Sequence, residues 1–132
     1  MFRLTTKSDY GLILLSSVAR AMEDKSNPYI SVSTVAKKNK ISAKFLSQVA
    51  NELKKAGIIS SKEGASGGYM LAKKPTEIKI IDVLKTLDGE LVVGECFEDD
   101  HDCTCGGKDM FSEMKKQLEA TIGKKTVADL VV

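Results

Sequence analysis

Three cysteines, Cys96, Cys103 and Cys105, fall within ten residues, in a stretch that also carries the single histidine, His101, and the acids Glu95, Glu98, Asp99, Asp100 and Asp102. Thiolates bind iron, zinc and other soft or borderline metals and are the side chains most readily oxidised. In Cys103-Thr104-Cys105, alternate residues of an extended chain point the same way, so both thiolates can reach one metal centre. An odd cysteine count in a chain whose first residues lack the apolar stretch of a secretory signal argues against a disulfide framework. Metal binding or redox chemistry accounts for the cluster better. His101 fits either a ligand or an ordinary solvated loop histidine.

The segment that holds these groups, about Val93 to Lys108, is acidic and glycine-containing with little periodicity, and reads as a loop. A structureless stretch of that length calls for an organising agent such as a metal. Beyond it, Met110 to Ile122 places Phe111, Met114, Leu118 and Ile122 on one helical stripe that must be covered by something.

Before the loop the pattern is helical. Leu12, Leu15, Val18, Ala19 and Met22 recur at helical spacing from Asp9 to Met22, with Ser8 or Asp9 suited to start the helix. Asn27-Pro28 breaks that run, and a short helix opens at Ser31 or Ser33. Ser42 suits the cap of a third helix to about Ala56, with Phe45, Leu46, Val49 and Leu53 inward and Gly57 as its stop. Ile58–Lys62 and Tyr69–Ala72 read as two strands around the turn Gly64-Ala65-Ser66-Gly67-Gly68. After Pro75, Ile80 to Leu87 is helical and ends at Asp88-Gly89.

This order is a helix-turn-helix followed by a wing. The second helix of such a pair enters the major groove, which puts Ser42, Ala43, Lys44, Ser47 and Gln48 at the groove. Gln48 can bond adenine through both amide atoms, and Lys44 can reach phosphate or guanine. Lys54 and Lys55, farther along, touch at most the DNA backbone. Lys62 beside a glycine-rich tip suits the minor groove, where Gly67 and Gly68 let the backbone approach closely. A solvated lysine-rich surface is the plainer reading of the same residues.

Residues 37–74 hold nine lysines against Glu52 and Glu63, although the net charge of the 132 residues is only +2. With 42% hydrophobic residues the chain suits one compact domain plus an appendage. No apolar run approaches the roughly 20 residues of a membrane span, so a soluble cytoplasmic protein is expected, with no membrane partner. A single histidine and the lack of a phosphate loop make an enzyme with a small-molecule substrate a poor reading.

Three stretches together carry a resemblance: Leu4-Thr5-Thr6-Lys7-Ser8-Asp9-Tyr10-Gly11, Ile41 to Gly57 with Ile58-Ile59, and Gly64-Ala65-Ser66-Gly67-Gly68-Tyr69. With Ile80-Ile81-Asp82-Val83, Leu87-Asp88-Gly89-Glu90, the cysteine loop, the long helix and Thr126-Val127-Ala128-Asp129-Leu130-Val131, the chain resembles the IscR/NsrR family of bacterial regulators over nearly its whole length. The resemblance implies a homodimer on double-stranded DNA whose long C-terminal helices cross, burying the Phe111 stripe; packing within one chain is the other option. It also implies an iron-sulfur cluster, 4Fe-4S or 2Fe-2S, on Cys96, Cys103 and Cys105. In the nitric-oxide-sensing branch the fourth ligand is an aspartate near the partner's N-terminus, a position that Asp9 occupies here. The plainer role for Asp9 is a helix cap.

Two departures stand out. Family cysteines are usually several residues apart, whereas Cys105 follows Cys103 after Thr104 alone, which leaves cluster type and presence open. Glu63 stands where relatives commonly carry a wing arginine, and its carboxylate would repel phosphate.

The expectation is a mainly α fold with a small β-wing: a winged helix-turn-helix domain over 1–90, a sensor loop over 91–109, and a dimerisation helix and tail over 110–132. Its expected function is transcription regulation, with DNA affinity set by a cluster that senses iron, redox state or nitric oxide. A regulator without a cluster, signalling through its thiols or a partner protein, is the main alternative. A scaffold that has lost DNA binding is a third, hinted at by Glu63 alone.

Overall fold

The computed structural model describes residues 5–90 and 107–131. Helix α1 spans Thr6–Ala21, α2 Val32–Asn39 and α3 Ala43–Lys55; strands β1, Ile59–Lys62, and β2, Gly68–Leu71, follow. A 3-10 turn at Pro75–Glu77 leads to α4, Ile80–Asp88, and after the undescribed segment come α5, Gly107–Ile122, and a closing 3-10 turn, Val127–Leu130.

Helix α1 begins earlier than the sequence pattern predicts. Thr5, in extended conformation, accepts the Ser8 N–H at 3.1 Å and is the cap, so Ser8 and Asp9 lie inside the first turn. Ser8 is fully buried. Its hydroxyl donates to Asp88 Oδ2 at the end of α4, and the Thr5 hydroxyl donates to the same oxygen at 2.6 Å. A carboxylate at the C-terminus of α4 opposes that helix's dipole, but against the first turn of α1 it stands where a negative charge is favoured. Asp88 thus ties α4 to α1 across 80 residues of chain.

The α1 face turned inward includes Leu14 beside Leu15, Val18 and Ala19, while Leu12 is only half-buried. Gly11 lies where any Cβ would run into Leu87 of α4, which lets these two helices approach closely. Val35 of α2, Leu46, Val49 and Leu53 of α3, Ile59 and Leu71 of the sheet, and Val83 of α4 complete one core. Truncating any of its leucines to alanine costs about 2–5 kcal/mol by this kind of burial.

The caps of the next two helices are serines. Ser31, not Ser33, caps α2 by accepting the Thr34 N–H at 3.1 Å, and Ser42 caps α3 by accepting the Phe45 N–H at 3.2 Å. Between them Lys40 adopts a left-handed conformation (φ 56°, ψ 46°), which ends α2 and turns the chain into α3. Phe45, expected to point inward, is half-buried and meets Tyr10 edge-on with ring centroids 5.3 Å apart.

Strands β1 and β2 pair antiparallel, with Ile59 opposite Leu71 and Lys62 opposite Gly68. Ile30, just before α2, adds an antiparallel bridge to Tyr69. The tail returns to the same core: the Val127 N–H donates to Ile78 O at 2.9 Å, the Ile80 N–H donates to Lys125 O at 3.0 Å, and Val127 is fully buried. Helix α5 differs from all the others in having no buried residue.

Candidate nucleic-acid interface

Helix α3 has two distinct sides. Leu46, Val49, Ala50 and Leu53 face the core, whereas Lys44, Ser47, Gln48, Asn51 and Lys55 are exposed. The exposed positions follow one another at three- and four-residue steps, so they form one continuous outward stripe. Its acid neighbour Glu52 is turned toward α1, where Oε2 lies 2.8 Å from Lys7 Nζ. The pair is half-buried, and most of its Coulomb gain is offset by desolvation and lost side-chain freedom. Its consequence is electrostatic: the outward stripe carries lysines and amides and no carboxylate.

Ser42 is exposed, but its oxygen is engaged as the α3 cap, which leaves its hydroxyl hydrogen for an acceptor outside the protein. Asn51 is an addition to the residues expected from sequence, and the step from Gln48 to Asn51 continues the same stripe. It offers an amide with the same donor and acceptor pair as Gln48.

The wing glycines have structural reasons to be glycine. A Cβ on Gly67 would meet Lys62 O at 2.1 Å. Gly68, at φ +143°, would press a Cβ into Ile30 O at 2.4 Å, and this is what permits the bridge from Ile30 to Tyr69. Gly68→Ala is therefore expected to destabilise the domain by about 1–3 kcal/mol, read as a lower chemical-denaturation midpoint. An unchanged midpoint would refute this account of the wing base.

Lys62 ends β1, exposed, with Nζ 5.5 Å from the centroid of the Tyr29 ring. Glu63 is exposed at the tip beside it.

Asp9 is exposed on the first turn of α1. Because Thr5 does the capping, the Asp9 carboxylate has no hydrogen bond or ion pair among the described residues. Cys96, Cys103, Cys105 and His101 lie outside the described residues. Among those described, no three His, Cys, Asp or Glu side chains converge on a metal-sized site.

Two capped helices joined by a tight turn, the second with a polar outward stripe, followed by a two-stranded hairpin, define a winged helix-turn-helix protein of the DNA-binding class. Residues 4–132 match the model of the Rrf2 family, described as iron-dependent transcriptional regulators, and the chain belongs to that family. It is 34% identical over 133 residues to Protein rrf2 of Nitratidesulfovibrio vulgaris Hildenborough, covering 98% of this chain and 87% of that one. It is 35% identical over 135 residues to the transcriptional regulator NsrR of Shouchella clausii, covering 98% and 89%. The solved structure of CymR, the global cysteine regulator of B. subtilis, superposes with a TM-score of 0.81 at 26% identity, covering 98% and 96%. That of T. potens IscR superposes at 0.79 and 28%, covering 98% and 85%. The protein is accordingly a DNA-binding transcription regulator and not an enzyme. Among the described residues no helix is long and apolar enough to cross a membrane.

Proposed function

We propose that the protein is a homodimeric regulator whose DNA affinity is controlled by an iron-sulfur cluster, with Cys96, Cys103 and Cys105 of one copy and Asp9 of the other as ligands. The observation that carries this reading is the Asp9 carboxylate, exposed on α1 and relieved of capping by Thr5. Three thiolates and one carboxylate suit iron, and the family's description as iron-dependent agrees with that. When bound, such a cluster supplies a centre that iron supply, oxidants or nitric oxide can alter. On the DNA, the outward α3 stripe of Lys44, Ser47 and Gln48 enters the major groove, Ser42 donates to phosphate at its start, and the wing with Lys62, Gly67 and Gly68 lies against the neighbouring groove.

Asp9 transmits the state of the loop because it sits in the turn that Asp88 fastens to α4. A ligand pulling on that turn acts directly on α1, which packs on α3. The test is anaerobic purification with iron and sulfide assayed per chain, in the wild type, Cys103→Ala and Asp9→Ala. Stoichiometric iron and sulfide that the cysteine variant loses and the aspartate variant loses or holds weakly would support the reading. An iron-free, colourless protein from iron-replete cells would sink it. That outcome would leave the cluster-free regulator, which would signal through its thiols or a partner protein.

The second copy would be held by α5. Met110 and Met114 are 56% and 42% exposed, and with Glu113, Gln117, Leu118 and Thr121 they line a largely apolar strip along a helix of which no residue is fully buried. Ile122, by contrast, packs against the core. Met114→Glu is expected to convert the dimer to monomers in light scattering at concentrations where the wild type is dimeric. A variant that stays dimeric would place the interface elsewhere.

A further inference from the structure

We propose that Tyr29 is a positioning residue for the wing, whose ring holds the Lys62 ammonium in place for the DNA phosphates. Tyr29 precedes Ile30, whose N–H donates to Tyr69 O at 3.1 Å and whose carbonyl accepts the Tyr69 N–H at 2.7 Å. Residues 29–31 thus lie antiparallel beside β2, joined to it by the single Ile30–Tyr69 bridge. Continuing the register, Lys62 pairs with Gly68 and Gly68 lies across from Ser31, while Ser60, Met70 and Tyr29 lie two rows along, past the row of Ser61, Tyr69 and Ile30. Directly opposed residues share a face and alternate residues return to it, so Lys62 and Tyr29 lie on one face, diagonally across Gly68. It is the face opposite to buried Ile59 and Leu71, and therefore the outer one.

Gly68 has no side chain to stand between them, and the Lys62 Nζ crosses to within 5.5 Å of the Tyr29 centroid. Lysine carries several freely rotating bonds, and fixing its ammonium without a carboxylate keeps its full charge available to a phosphate. An acidic partner would have neutralised it. The neighbouring Glu63 is the nearest such acid in sequence, and the ring holds Lys62 without it. Tyr29 itself is half-buried and anchored by the Ile30 bridge, so the platform is stiffer than the side chain it holds.

This inference rests on DNA binding and is independent of any cluster, so it is tested with a mixed-sequence DNA duplex and the full-length protein. Affinity is measured against salt for the wild type, Tyr29→Phe, Tyr29→Leu, Lys62→Met and the double variant Tyr29→Leu/Lys62→Met, with thermal unfolding of each as the control for folding. Lys62→Met is expected to lower the log–log salt slope by about 1, as the loss of one phosphate contact does. Tyr29→Leu should weaken binding about two- to fivefold, the worth of an exposed cation–π contact, and Tyr29→Phe should keep the wild-type affinity because it keeps the ring. In the Lys62→Met background Tyr29→Leu should have no further effect. An undiminished Tyr29→Leu loss in that background, tighter binding by Tyr29→Leu, or an equal loss in Tyr29→Phe would each overturn the proposal. A wild type with no salt-sensitive affinity would overturn the DNA-binding reading itself, which separates the two failures.

Discussion

Val127→Asp is expected to unfold the DNA-binding domain even though it lies more than thirty residues beyond α4, in what the sequence presents as a tail. Val127 is fully buried, its N–H donates to Ile78 O, and Lys125 O accepts the Ile80 N–H at the start of α4. These two bonds and the Lys79–Thr126 bridge make the tail a strand-like brace on the segment that begins α4. A carboxylate at this position would be buried without a partner, a cost of about 4 kcal/mol or more against a total stability of about 5–15 kcal/mol. Val127→Ala keeps the backbone bonds and loses only packing, for about 1.5–3 kcal/mol. Circular dichroism with chemical denaturation distinguishes the two. If Val127→Asp folds with wild-type stability, the tail is not part of the core.

Elements whose signal is local were legible in the sequence. The third helix is marked by Ser42 at one end and Gly57 at the other, with the apolar residues between at helical steps, and it forms where the pattern places it. The hairpin is marked by its glycines, and Pro75 and Gly89 bracket α4. What was not legible depends on groups distant in the chain. Thr5, Ser8 and Asp9 are all acceptable caps, and the choice among them is settled by Asp88, whose carboxylate draws the Ser8 hydroxyl into the interior and leaves Thr5 to satisfy the first turn. Leu14 is not marked as inward by the pattern because α1 is apolar on more than one side, and only α3 and α4 decide which side is the core. The tail has too few residues for a period to show.

The candidate interface divides in the same way. Lys44, Ser47 and Gln48 could be placed together from helical spacing alone, and Asn51 could have been added by one more step. Gly67 and Gly68 suit a close approach to DNA, yet each is also required by a carbonyl of its own chain. The pairing of Lys62 with Tyr29 needed the strand register, which no local pattern supplies.

Gln48→Ala and Lys44→Ala are expected to damage DNA binding in different ways, although the two positions are adjacent on one stripe. A bidentate amide contact to adenine discriminates one base pair by about 1–3 kcal/mol, so Gln48→Ala should lose up to about a hundredfold on the preferred sequence and little on unrelated DNA. Lys44→Ala removes a mobile positive charge, and its contact with phosphate would be common to all sequences. It should weaken binding uniformly and reduce the salt slope by about 1. Asn51→Ala should resemble the glutamine variant, at a base pair farther along the groove. The measurement is selection of bound sequences from a random duplex pool by the wild type, followed by salt titrations of each variant on the selected and a scrambled duplex. If Gln48→Ala keeps the wild-type preference while Lys44→Ala loses it, guanine recognition by Lys44 carries the specificity. If neither changes it, the reading surface is not this stripe of α3.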